Sequence, residues 1–139
     1  ISITRMAVTT EKDAETKKNT IGKKAFIPYG LYRAEGFVSA NLAQKVTGFS
    51  EDDLNLLWEA ITNMFENDHS ASRGKMAVRE LIVFKHSSEF GDCPSHKLFD
   101  QIEVVKKADV ETPRKYNDYE VIIHEDKIPQ SVELQRKDV

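Results

Sequence analysis

The stretch from Ser50 to Phe65 constrains the fold more than any other part of the chain. Ser50 stands before Glu51, Asp52 and Asp53, an N-cap followed by acids that suit the positive end of a helix dipole. Leu54, Leu57, Trp58, Ile61 and Phe65 then recur at helical spacing, so the stretch predicts an amphipathic helix whose apolar stripe needs an apolar surface to lie on. Burial accounts for such a stripe, which makes Trp58 and Met64 core residues rather than stacking platforms. Downstream, Leu81-Ile82-Val83-Phe84 is a continuous apolar run and predicts a central strand covered on both faces. A chain with both features is α+β, its strands and helices in mixed order.

The other elements follow from local signals. Residues 1–10 are rich in β-branched side chains and read as a strand. Residues 11–20 are almost wholly polar, which predicts a long mobile loop tip, and residues 21–29 resume a strand that Pro28 ends. The pair forms a projecting β-hairpin arm. Leu31 to Ser39 is a further strand candidate, interrupted by Gly36. A short helix over Ala40–Val46 follows, with Ser39 as its cap and Gly48 after its end. A short helix at Ser95–Phe99, strands at Ile102–Val105 and Tyr119–Ile123 with a loop over Val110–Asp118 between them, and an edge strand within Gln130–Val139 complete the reading.

Composition limits the function classes. Hydrophobic residues make up 40% of the 139 and charged residues 31%, values that suit a single globular domain. No apolar run is long enough to span a bilayer, no secretory leader precedes the first strand, and the lone Cys93 cannot form an internal disulfide, so a reducing cytoplasm is the expected home. The chain begins at Ile1 inside a strand-like pattern, which suggests a piece of a longer protein. The net charge is −3, yet residues 1–24 carry six basic side chains against three acidic ones, while the remainder carries fourteen against twenty. A basic arm on an acidic body can hold an anion locally.

No catalytic constellation emerges. His69, His86, His96 and His124 show no i, i+4 pair and no zinc spacing, and there is no Gly-rich phosphate loop of the P-loop or dinucleotide type. No metal site, cofactor or enzymatic activity is expected. Ser72-Arg73-Gly74-Lys75 is a small basic turn whose backbone N–H groups and flanking cations suit a phosphate, although a plain surface turn reads the same way. The arm is the stronger candidate, because a single RNA strand is held by a charged track with apolar groups that meet bases. Arg5 and Met6 sit on its incoming strand, Lys17 and Lys18 at its tip, and Lys23 and Lys24 on its outgoing strand. Met6 is a candidate wedge between bases, and packing under the hairpin accounts for it equally well.

Seven segments, in order, resemble one family. They are Ser2-Ile3-Thr4-Arg5, Ile27-Pro28-Tyr29-Gly30-Leu31-Tyr32, Gly36-Phe37-Val38-Ser39, Gly48-Phe49-Ser50-Glu51-Asp52-Asp53-Leu54, Ser70-Ala71-Ser72-Arg73-Gly74, Leu81-Ile82-Val83-Phe84-Lys85-His86 and Lys97-Leu98-Phe99-Asp100. Together they resemble the backbone subunit of a type I-C CRISPR Cascade, in the Cas-seven superfamily (Csd-two-like). The resemblance implies an RRM-like (ferredoxin-like) palm with a protruding β-hairpin thumb. Residues 1–30 would be the thumb and residues 31–139 the C-terminal part of the palm, with the N-terminal half of the palm missing.

The implied function is a non-enzymatic crRNA-binding subunit in antiviral defence. Its implied partners are crRNA, neighbouring copies of itself, other Cascade subunits, and target DNA through the guide, with no membrane. Arg5, Lys17, Lys18, Lys23, Lys24, Arg73 and Lys75 are the expected phosphate contacts, with Met6 as the wedge. The family often has arginine where His69 stands, alanine where Ser72 stands, and Met-Gly-Arg-Lys where Ile21-Gly22-Lys23-Lys24 stands; lysine keeps the charge there but loses the planar fork. A palm without its first strands would expose sheet edges, which a homodimer of the isolated piece would cover. The alternative from another class is a protein–protein interaction module of the same assembly, its arm docking on an acidic neighbour without touching RNA.

Overall fold

Three two-stranded antiparallel ladders carry the architecture of the structure, a computed structural model that describes residues 2–6, 10–11, 20–24, 27–69, 75–137 and 139. Of residues 2–6 and 20–24 it describes the backbone. The chain divides into two compact units, Ile1–Tyr32 and Arg33–Val139. The class is α+β, as expected, and small antiparallel sheets with few helices are compatible with a partial RRM-like palm and a hairpin.

The first unit is built on β1 (Ser2–Met6) and β2 (Thr20–Lys24), paired antiparallel from Ser2 opposite Lys24 to Met6 opposite Thr20. Ile3, Thr4, Thr20 and Ile21 supply the β-branched positions that favour extended backbone. The strand expected over residues 21–29 is shorter than foreseen: it closes at Lys24, and Ile27 (72% exposed) and Pro28 lie outside it. Proline has no N–H to give to a ladder. Most of the expected polar tip, residues 12–19, lies outside the described residues.

The strand expected over Leu31–Ser39, which runs from the end of the first unit into the second, does not form. Side chains, not a ladder, fix its central part: Arg33 donates from Nη1 to the Ile102 carbonyl and from Nη2 to the Phe99 carbonyl, each at 2.8 Å. The Phe37 ring meets Phe99 edge-on at 5.6 Å. The helical segment that follows starts where expected, with Ser39 Oγ accepting from Leu42 N–H. It is a single turn, α1 (Ala40–Leu42), that widens into a π-type turn over Ala43–Thr47, and Gly48 ends it at φ 69°. That left-handed conformation is open to glycine at little cost.

Helix α2 (Glu51–Asn63) begins with a reciprocal cap. Ser50 Oγ accepts from Asp53 N–H, and the Asp53 carboxylate accepts from Ser50 N–H at 2.8 Å. The backbone bond from Ser50, joined by its hydroxyl, holds the Asp53 carboxyl below its ordinary value. Leu54, Leu57, Trp58, Ile61 and Phe65 are half-buried, as the stripe predicted, and Thr62 beside them is half-buried too. Met64, expected in the core, is 50% exposed; it is the C-cap, one residue past the end of the helix at Asn63.

The remaining elements are β3 (Leu81–His86), α3 (Ser95–Phe99), β4 (Ile102–Lys106), β5 (Tyr119–Ile123) and β6 (Val132–Lys137). β4 pairs with β5, with Ile102 opposite Ile123. β3 pairs with β6, with Leu81 opposite Lys137 and His86 opposite Val132. β3 is therefore not the central strand its apolar run suggested: among the described residues it has one ladder neighbour, and Leu81 to Phe84 are half-buried. Phe84 lies edge-on to Phe99 at 6.3 Å, and Phe99 thus links β3, α3 and the Phe37 segment. Leu98 (2% exposed) and Val132 (5%) are the buried apolar side chains of the described residues. The loop expected over Val110–Asp118 ends in a 3₁₀ turn, Tyr116–Asp118. Buried Asp118 ties that turn down by accepting from Arg114 N–H at 2.7 Å and Lys115 N–H at 3.1 Å.

Candidate nucleic-acid interface

The register of the β1–β2 ladder sorts the expected arm residues. Arg5 stands opposite Ile21, Lys23 opposite Ile3, Met6 opposite Thr20 and Lys24 opposite Ser2. Successive positions of a strand alternate between faces, and directly opposed residues share one. Positions 3, 5, 21 and 23 therefore form one face of the ladder, and positions 2, 4, 6, 20, 22 and 24 the other. Arg5 and Lys23 are brought together as diagonal neighbours. Met6 and Lys24 belong to the opposite face, at opposite ends of the ladder. The adjacent Lys23 and Lys24 thus sit back to back, and a single strand following one face meets only one of them.

Lys17, Lys18 and Arg73 lie outside the described residues. Lys75 is exposed and belongs to the unit Arg33–Val139.

That second unit contains an ionic cluster that no local motif announced. The Tyr116 hydroxyl donates to Glu80 Oε1, and Arg136 Nη2 donates to Glu80 Oε2 at 2.8 Å. The Arg79 guanidinium lies over the Tyr116 ring, 4.9 Å from its centroid. Burial, then the hydrogen bond to Glu80 and its charge, push the Tyr116 phenol up to about 12. Tyr116 and Arg136 stand 36 and 56 positions from Glu80, so only the pairing of β3 with β6 and the 3₁₀ turn before β5 assemble the group.

A second ordered feature is the loop after β3. The Asp92 carboxylate accepts from Ser87 N–H at 2.6 Å, Ser87 Oγ at 3.1 Å and Ser88 N–H at 3.2 Å, while Asp92 N–H donates to His86 Nδ1 at 2.9 Å. Desolvation pushes the Asp92 carboxyl up, but these bonds together outweigh it and hold the group below its ordinary value. Lys45 pairs with Glu89 at 3.2 Å and lies over the Phe90 ring, tying this loop to the π-type turn.

Among the described residues no group of three or more His, Cys, Asp and Glu side chains could hold a metal ion, and no helix is long and apolar enough to cross a membrane. Against this geometry, the family model for CRISPR-associated protein Cas7 matches residues 1–124. The chain belongs to the Cas7 family. No curated protein matches it at a significant level. Membership implies a structural backbone subunit of a CRISPR effector complex, with crRNA and other subunits of that complex as partners. The Cas7 match covers both strands of the hairpin and runs to His124, the residue after β5. Strand β6, with Arg136 and Lys137, lies beyond it.

Proposed function

We propose that this Cas7-family chain is the crRNA-binding backbone subunit of a type I-C CRISPR interference complex, acting without enzymatic chemistry in the cytoplasm. Residues 1–30 serve as a thumb and residues 31–139 as part of a palm. The observation that carries the reading is the ladder register, which gathers Arg5 and Lys23 on one face of a hairpin in its own compact unit. Such a face offers a phosphate track, and a strand running along it is held through its backbone without sequence preference, leaving target DNA to be read by pairing with the guide. Lys17, Lys18, Lys24, Arg73 and Lys75 are further candidate phosphate contacts, and Met6, on the same ladder face as Lys24, is the candidate wedge between bases.

The test is the RNA content of the assembled complex carrying Arg5→Ala and Lys23→Ala. Loss of bound guide per subunit, with a salt slope shallower by about 0.7 for each lost contact on a single strand, is the expected result. Unchanged RNA content sinks the assignment of these residues.

A second reading has its own support. In the second unit Phe37, Val46 and Phe90 are each more than 70% exposed (74%, 72% and 79%), more apolar surface than a free-standing unit needs to show. On that reading the chain is a protein–protein module of the same assembly. Charge reversal at Lys23 and Lys24 would then abolish assembly while leaving RNA per subunit unaltered.

A further inference from the structure

His86 closes β3 and meets the loop that follows through a hydrogen bond whose direction is fixed. Its Nδ1 accepts from the Asp92 backbone N–H at 2.9 Å. A backbone N–H can only donate, so Nδ1 carries no proton there and the ring is neutral, with its one proton on Nε2. Gly91, at φ 85°, turns the chain immediately before Asp92. The Asp92 carboxylate lies close to the same ring nitrogen, with Oδ2 3.9 Å from Nδ1, too far for a hydrogen bond. That oxygen accepts instead from Ser87 N–H at 2.6 Å, Ser87 Oγ at 3.1 Å and Ser88 N–H at 3.2 Å. Three donors already exceed its two lone pairs, so a fourth enters only when one of them leaves. The other charges facing this end of the ladder are matched among themselves. Lys85 of β3 stands opposite Glu133 of β6, His86 stands opposite the apolar Val132, and Glu89 of the loop pairs with Lys45 of the π-type turn at 3.2 Å. Asp92 is therefore the acid that a charged His86 meets.

We propose that His86 is a proton switch for the loop of residues 87–92: neutral, it accepts from Asp92 N–H and holds the loop closed; protonated, it turns Nδ1–H to the Asp92 carboxylate and displaces the serine donors. Two donors cannot face each other at 2.9 Å, so a proton on Nδ1 breaks the bond to Asp92 N–H. The new acceptor is near, since bringing Nδ1 and Oδ2 from 3.9 Å to hydrogen-bonding distance takes a shift of about 1 Å. The closed arrangement has no proton on Nδ1 and the opened one has one, so falling pH favours the opened loop, over the range of roughly pH 8 to 5 in which an imidazole ordinarily gains charge. The Asp92 carboxyl, held below its ordinary 3.8, stays ionised throughout that range and is the fixed partner of the switch. Lys45 grips this loop through Glu89 and the Phe90 ring, so the change reaches the π-type turn over Ala43–Thr47. The device belongs to the second unit and is independent of RNA binding by the hairpin.

The test is a pH series of amide and imidazole-nitrogen magnetic resonance spectra on the full chain, for the natural protein and for His86→Asn, whose side-chain oxygen can accept as Nδ1 does but takes no proton in this range. At pH 8 the His86 ring is expected to carry its proton on Nε2. Between pH 8 and 5 the amide signals of Ser87, Ser88 and Asp92 should move together with the charging of His86. Exchange of the Asp92 N–H, corrected for its intrinsic pH dependence, should rise roughly tenfold, the scale of one lost hydrogen bond. In His86→Asn all three amides should stay in place across the same range. A proton on Nδ1 at pH 8, any of the three amides failing to follow His86, or a transition that persists in His86→Asn overturns the proposal. If that variant does not fold, the ring-nitrogen and amide signals of the natural chain decide alone.

Discussion

Among the described residues, Tyr116 is the side chain whose ionisation the fold moves far from its ordinary value. Its phenol is desolvated, donates to Glu80 and feels the charge of that carboxylate, which together raise it from 10 to about 12, with Arg136 and Arg79 pulling the other way. A group whose folded value lies above its unfolded one stabilises the fold fully below the unfolded value and loses that contribution as pH rises through the folded one. The Tyr116–Glu80 link is therefore intact at pH 10 and fades towards about pH 12. In an ultraviolet titration of the folded chain, Tyr116 is expected to give a late ionisation that Tyr116→Phe removes and Glu80→Gln moves back towards 10. A titration with no late phase that depends on these two residues contradicts the contact. Nothing around Tyr116 in sequence foretells this, because its partner stands 36 positions away and only the fold joins them.

At the scale of elements, local signals succeeded where the stabilising groups are neighbours in sequence. Helix α2 announces itself through Ser50, its acids and its stripe, and Ser50→Ala is expected to destabilise the second unit by about 1 kcal/mol through loss of the cap to Asp53 N–H. Chemical denaturation read by far-ultraviolet dichroism checks this, and an unchanged midpoint would mean the cap contributes nothing. Helix α3 and strand β5 also fall where the pattern put them, at Ser95–Phe99 and Tyr119–Ile123. The failures share one cause. Leu31–Ser39 has the apolar content of a strand, but whether a strand forms depends on a ladder partner, and Arg33 anchors the segment to the carbonyls of Phe99 and Ile102 instead. β3 has the apolar content of a central strand, yet it pairs with β6 alone among the described residues.

Across the whole molecule, Leu98 and Val132 are the buried apolar side chains of the described residues, so core burial is concentrated on few positions. Leu98→Ala is expected to cost about 3 kcal/mol, a large share of the roughly 5–15 kcal/mol that holds a typical domain. The urea midpoint should fall with it, and a loss under about 1 kcal/mol would show that the site collapses around the cavity. The same division explains what was legible from the start. The sequence by itself determined the α+β class, the hairpin of β1 and β2, the capped helix α2 and the basic character of the arm, because each depends on neighbouring residues or on a period of two or 3.6. It also carried the family resemblance, through ordered segments that the Cas7 match over residues 1–124 bears out at the level of the family. Only the tertiary structure decided that Lys23, and not Lys24, shares a face with Arg5, since a one-residue change of register would exchange the two lysines. Only it brought Arg79, Glu80, Tyr116 and Arg136 together, because ladder pairing joins residues at distances along the chain that no local pattern encodes.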